Sequence, residues 1–127
     1  MIERLFSKKH IWIEIDGNIA SIGITDFLQD KLGAIIFINL PETGELIKKG
    51  EPFGDIESKK LVMDLEAPVA GEVVEINRDL QDEPYLINEE PFESWFIKVR
   101  YESIPGDLIT EEVYIERLAH YDGILHA

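Results

Sequence analysis

Short β-type runs, broken at frequent glycines, constrain this chain more than any other feature. From Gly44 onward, glycines at 44, 50, 54 and 71 interrupt the sequence, and no long helical pattern separates the runs between them. Parallel strands need a crossover of about a dozen residues or more, usually a helix. The rhythm therefore predicts a compact all-β unit rather than βαβ repeats. Upstream, Ile11 to Asp16 and Ile19 to Ile24 read as two strands. The Asp16-Gly17 dipeptide between them suits positive φ and marks a hairpin turn.

The remaining local signals fill in the frame. Thr25 is placed to cap a short helix through Leu32, with Asp26 near its positive end and Gly33 as its stop. Ala34 to Leu40, with Ile35, Ile36, Phe37 and Ile38 in an unbroken row, predicts a buried strand. Pro41-Glu42-Thr43-Gly44 is a turn, Val73 to Ile76 a strand, Asn77 to Pro84 a polar stretch with a turn of helix, and Trp95 to Val99 a late strand. After Pro105-Gly106 the pattern changes. Thr110, Glu111 and Glu112 open a helix to about Tyr121, and Tyr114, Leu118 and Tyr121 form an apolar face that should pack on the β body. Gly44-Glu45-Leu46-Ile47 is echoed by Gly71-Glu72-Val73-Val74, as expected of two copies of one small β unit. The expected fold is mostly β, a flattened barrel-like sandwich with a short internal helix and a C-terminal helix. One domain spans residues 1–127, with a core over about 10–99, a terminal helix over about 110–121, and no linker long enough for a second domain.

Charge and composition exclude whole classes of function. The formal net charge of −14 argues against nucleic-acid backbones or an anionic membrane as partner, and favours basic patches on other proteins. With no cysteine, disulfides, thiolate metal sites and cysteine nucleophiles are excluded. The opening Met1–Phe6 segment is too short and charged for a signal peptide, and no apolar run approaches the ~18 residues of a membrane span. The expectation is a cytoplasmic protein. His10 has no Ser or Cys nucleophile pattern near it and reads as a packed or surface histidine; His120 and His126 alone make no metal site. Trp12, Phe37 and Trp95 read as core, and the glycines form neither GxGxxG nor a P-loop.

One turn carries chemistry. Glu57-Ser58-Lys59-Lys60 precedes Asp64-Leu65-Glu66-Ala67-Pro68-Val69-Ala70-Gly71, so a lysine sits between two β-type segments with its amine in water. A lysine amine forms a stable amide with a carboxylic-acid cofactor. Its ordinary pKa near ~10.4 keeps it charged at neutral pH, so a ligase must activate the acid partner. Taken by itself Lys60 also reads as an ordinary solvated turn lysine among acids. Lys59 competes with it, and Glu57 and Asp64 either guide a loading enzyme, hold an arm, or merely solvate the face.

Taken together these blocks resemble the glycine cleavage system H protein family, lipoyl-carrying relatives of the lipoyl and biotinyl domains. The resemblance runs from about His10 to Val99. It rests on Gly23-Ile24-Thr25-Asp26, Leu32-Gly33, Leu40-Pro41-Glu42, Gly50-Glu51-Pro52-Phe53-Gly54, Glu57-Ser58-Lys59-Lys60, Asp64 with Ala67-Pro68-Val69-Ala70-Gly71-Glu72-Val73, and Asn88-Glu89-Glu90-Pro91 with Trp95. The family's Glu-Ser-x-Lys register implies lipoate in amide linkage to Lys60, with Glu57, Ser58 and Asp64 in support, on a barrel-sandwich hybrid fold with the lysine at a hairpin tip. It also implies a carrier without catalysis of its own. Its partners would be a pyridoxal-phosphate glycine decarboxylase, a tetrahydrofolate-dependent aminomethyltransferase, a dihydrolipoamide dehydrogenase, and a lipoate ligase or lipoyltransferase.

The sequence departs from the family at four places, one of them the segment before Trp95, which is one residue shorter and lacks the family's glycines. His10-Ile11-Trp12 stands where the family has His-Glu-Trp, Leu61-Val62-Met63 replaces small residues after the lysine, and Lys59 replaces a valine. In the family the lost acid lies near the cleft that shelters the loaded arm. These departures keep open an H-like lipoyl carrier in another pathway, such as sulfur oxidation beside a heterodisulfide-reductase-like complex. A biotin carrier shares the fold but usually flanks its lysine with methionines, which Lys59 and Leu61 do not fit; an unmodified interaction module is the remaining class.

Overall fold

Strand β1 (Glu3–Phe6) pairs with β2 (Ile11–Asp16), which returns as β3 (Ile19–Ile24) through the two residues Gly17 and Asn18. Gly17 takes φ 63, as the hairpin signal in the sequence requires. This computed structural model describes residues 2–126, and side chains over residues 2–120. Thr25 then accepts the Leu28 amide on its hydroxyl at 3.3 Å and opens helix α1 (Asp26–Leu32). Gly33, at φ 80, closes that helix by donating to Gln29 O at 2.9 Å.

The chain continues through β4 (Ile35–Asn39), β5 (Leu46–Ile47), β6 (Pro52–Ser58), β7 (Val62–Glu66) and β8 (Gly71–Ile76). Two single-turn helices follow, α2 (Asp79–Asp82) and α3 (Leu86–Glu89), then β9 (Ile97–Tyr101), β10 (Ile109–Thr110) and α4 (Glu111–His126). The strands form two antiparallel sheets. One has the order β10-β1-β2-β3-β9-β8-β5 and the other β4-β6-β7. Among the described residues no helix is long and apolar enough to cross a membrane.

One apolar cluster lies between the sheets. Ile13, Ile22, Val73 and Val99 from the large sheet meet Ile38, Ile56 and Leu65 from the small one. Full burial of such side chains contributes about 1.5–3 kcal/mol each. A second cluster lies on the other side of the large sheet, where Phe6 and Trp12 receive Tyr114 of α4. Phe6 and Tyr114 stack at 4.5 Å, and Trp12 donates its indole N–H to Pro91 O at 3.0 Å. Trp12 lies opposite Gly23 in the ladder. A Cβ at Gly23 would sit 2.5 Å from the indole ring, so the ring packs there only because the side chain is missing.

The sheet, hairpin and helix expectations hold in their main lines, with four differences. The late strand begins at Ile97, not Trp95, because the Trp95 and Phe96 carbonyls are taken up by Asn77, through its side chain and its amide. The terminal helix runs past Tyr121 to His126; Tyr114 and Leu118 pack as expected, while the side chains of Tyr121 and His126 lie outside the described residues. Strands β1 and β10 and helix α3 carry no local signal strong enough to single them out. Finally, β4 is not a buried strand. Ile35 and Ile38 face the core, but Ile36 and Phe37 are exposed. β4 is an edge strand of a sheet with only one face on the core, and a bulge between Ile35 and Phe37 resets the alternation. Phe37 is thus a surface residue, unlike Trp12.

Candidate functional site

The β6–β7 hairpin raises the candidate lysine. Glu57 pairs with Val62 and Asp55 with Asp64, which leaves Lys59, Lys60 and Leu61 to make the bend. Ser58 closes it. Its amide donates to Leu61 O at 2.9 Å, and its buried hydroxyl accepts the amides of Lys60 at 3.1 Å and Leu61 at 3.2 Å. A serine hydroxyl so placed takes two donors that the ladder cannot reach. Lys59 is tied by its amide to Ala34 O at 3.1 Å, which anchors the bend to the segment between α1 and β4.

Lys60 itself is exposed, and its stem leans on Gly33. A Cβ built at Gly33 would meet Lys60 Cε at 3.4 Å and Nζ at 3.8 Å. Positive φ already favours glycine there, and the open side of that glycine forms the floor under the lysine. Asn88 of α3 fixes the floor. Its Oδ1 accepts the Ile35 amide at 2.9 Å, and its Nδ2 donates to Gly33 O at 2.9 Å and to Gln29 Oε1 at 2.8 Å. One carboxamide therefore joins the end of α1, the start of β4 and helix α3 beneath the turn.

The acids named from sequence are distributed differently from one another. Among the described residues the ion pairs are Arg4–Glu14, Lys49–Asp107 and Arg100–Glu72, and none involves Lys59, Lys60, Glu57 or Asp64. Glu57 adjoins the bend, opposite Val62. Asp64 stands farther down β7 and lines a cleft of about 330 Å³ beside that edge strand. Lys9, Ile11, Met63 and Glu66 line it too. The acid missing at Ile11 thus has two neighbours of the same charge in the fold, Asp64 and Glu66, together with one lysine.

His10 lies elsewhere in function. Its ring packs on Phe27 at 4.6 Å, and Nδ1 is 2.8 Å from the Tyr114 hydroxyl, which donates to Thr25 Oγ1 at 2.9 Å. Burial pushes the imidazole below its ordinary value of 6.5 and the Tyr114 phenol above 10.0. The trio links α4 to the cap of α1 and is a packing device.

A family model for the glycine cleavage H-protein matches residues 4–121. The chain belongs to the glycine cleavage H-protein family. Among its relatives, a glycine cleavage system H protein of Rubrobacter xylanophilus is 45% identical over 115 residues, covering 90% of each chain. One from Herpetosiphon aurantiacus is 42% identical over 113 residues, 88% of each. The crystal structure of a glycine cleavage system H protein from Mycobacterium marinum matches with a TM-score of 0.86 at 34% identity, over 92% of this chain and 97% of that one. The fold is therefore the lipoyl-domain-like barrel sandwich. These likenesses favour the glycine cleavage H protein, a lipoyl carrier, over a carrier of sulfur oxidation.

Within this family member, sequence reasoning identified the turn but missed its foundation. In sequence Asn88 is one residue of a family block with no role of its own, and Gly33 reads as a helix stop and as part of the Leu32-Gly33 block. Nothing local announces that residue 88 reaches back to residues 29–35.

Proposed function

We propose that this protein is the lipoyl-bearing carrier of a glycine cleavage system, with lipoate in amide linkage to Lys60. The observation that carries the reading is the lysine's mounting. Ser58 fastens the bend, the Lys60 side chain is exposed, and its stem runs beside Gly33, whose positive φ favours glycine. Bound lipoate supplies a dithiolane that accepts a group on sulfur and opens to two thiols. The chain's own residues supply position. Ser58 holds the tip in one geometry, and Asn88 keeps the floor beneath it. Glu57 flanks the tip, and Asp64 and Glu66 border the adjoining cleft at its β7 edge.

In this role the protein takes an aminomethyl group from a pyridoxal-phosphate glycine decarboxylase and passes it to an aminomethyltransferase. A dihydrolipoamide dehydrogenase reoxidises the arm, and a lipoate ligase or lipoyltransferase installs it. The chain is a carrier, not a catalyst, and works in the cytoplasm. Tethering raises the cargo's effective concentration at each partner in turn. The test is peptide mass spectrometry on protein from its native host. A lipoyl increment on Lys60 supports the reading. A biotin increment, a lipoyl group on Lys59, or an unmodified Lys60 in a host that lipoylates its other carriers overturns it.

A further inference from the structure

The outer face of the small sheet is bare and oddly composed. Register puts Phe37, Glu57 and Val62 in one row across β4, β6 and β7, and Asn39, Asp55 and Asp64 in the next. Directly opposed residues of an antiparallel ladder share a face, so these six side chains project together, away from Ile38, Ile56 and Leu65. Phe37 is 55% exposed and Val62 63%, and beside them Ile36 and Leu61 are exposed to 46% and 45%. Single exposed apolar residues are ordinary, but an aromatic and three aliphatics gathered at one end of a sheet mark an interaction surface. Three of the six face positions are carboxylates and none is basic.

We propose that this face docks the enzyme that acylates Lys60, and that the enzyme meets it with an apolar centre ringed by lysine or arginine. The proposal rests on Lys60 being the attachment site. Distance chooses this enzyme over the carrier's other partners. Acylation brings Nζ itself to an acyl carbon. In its amine form Nζ adds to an acyl adenylate, the amide C–N bond forms, the C–O bond to the nucleotide breaks with its electron pair leaving on the phosphate, and Nζ releases a proton. The enzyme's surface must therefore close over residues beside the lysine. Val62 lies two positions away, at the foot of the same bend. The carrier's other partners react with the far end of the arm, so their chemistry does not bring a reacting atom to Nζ. The apolar pair supplies affinity, and the carboxylates speed and orient encounter with a basic surface.

The experiment uses the full unmodified chain with a purified bacterial lipoate ligase, lipoate and ATP as the probe, following Lys60 acylation by mass. Phe37→Ser and Val62→Ser are expected to lower kcat/KM by about tenfold each, the loss typical of a central interface contact. Added salt should slow the wild-type reaction. Leu46→Ser, at an exposed position on the large sheet, should change nothing. Calorimetry on the Lys60→Arg chain reads docking without chemistry, and adding Phe37→Ser should weaken that binding about tenfold. If Phe37→Ser lowers the melting temperature, Val62→Lys, a surface change that opposes the basic partner, gives the reading in its place. Wild-type rates and affinities in the folded variants overturn the docking face while leaving Lys60 in place as the attachment site. No acylation of wild-type Lys60 overturns the attachment reading and the docking face with it.

Discussion

The two sheets use their faces differently. The large sheet is covered on both sides over β2, by the small sheet's core residues beneath and by Tyr114 of α4 above. The small sheet gives one face to the core through Ile38, Ile56 and Leu65 and leaves the other open beside Lys60. Stability and recognition therefore fall on separate residues. A substitution on the outer row of the small sheet removes little buried area, while one in the Trp12 cluster disturbs a packed interior. The scaffold absorbs the entropy of folding, and the hairpin keeps an apolar surface that a self-sufficient domain would bury.

Four substitutions or conditions test that separation. Lys60→Arg should abolish acylation outright, since a guanidinium stays protonated and is no amine nucleophile, yet leave the melting temperature unchanged. A measurable acyl increment on that variant would move the site to Lys59. On the scaffold side, Gly23→Val should cost about 3 kcal/mol in chemical denaturation, because its Cβ meets Trp12 at 2.5 Å, while folded protein is acylated at the wild-type rate. Equal loss of stability and acylation would show the sheets to be coupled. Asn88→Ala sits at the junction. It leaves the buried-side partners Ile35 N–H and Gly33 O unsatisfied, so a loss of about 1–3 kcal/mol is expected, together with slower acylation as the floor loosens. Intact acylation there would mean that Ser58 alone positions the lysine.

The smallest effect is a pH dependence confined to the large sheet's side. Burial holds the His10 imidazole below 6.5. As pH falls below that value the unfolded chain takes up the proton first, so stability is lost on the acid side and regained on raising the pH. His10→Gln should flatten this part of a pH–stability curve measured by denaturant, without altering acylation of Lys60. A curve unchanged by the substitution would assign the acid-side loss to other groups.

Sequence revealed what short-range chemistry decides. The Gly17 turn, the Thr25 cap, the Gly33 stop and the Glu-Ser-x-Lys bend each depend on residues within four positions of one another, and each lies where its residues indicate. What stayed hidden depends on partners far along the chain. Leu5 meets Thr110, and Asn88 meets Gly33 and Ile35. Ile11 shares a cleft with Asp64 and Glu66, so a missing acid and its neighbours in space are more than fifty residues apart. Phe37 misled for a different reason. Four apolar residues in a row carry no periodicity, and a single bulge decides which of them face water.

The glycine floor under Lys60 also shapes the geometry of travel. A tether rooted against a wall cannot sweep a full sphere. If the plane of Gly33 and its neighbours blocks one hemisphere, the same arm explores about half the volume and its tip is about twice as concentrated on the open side. Gly33, held at φ 80, would thereby act as a bearing, setting the direction of the swing before any partner arrives.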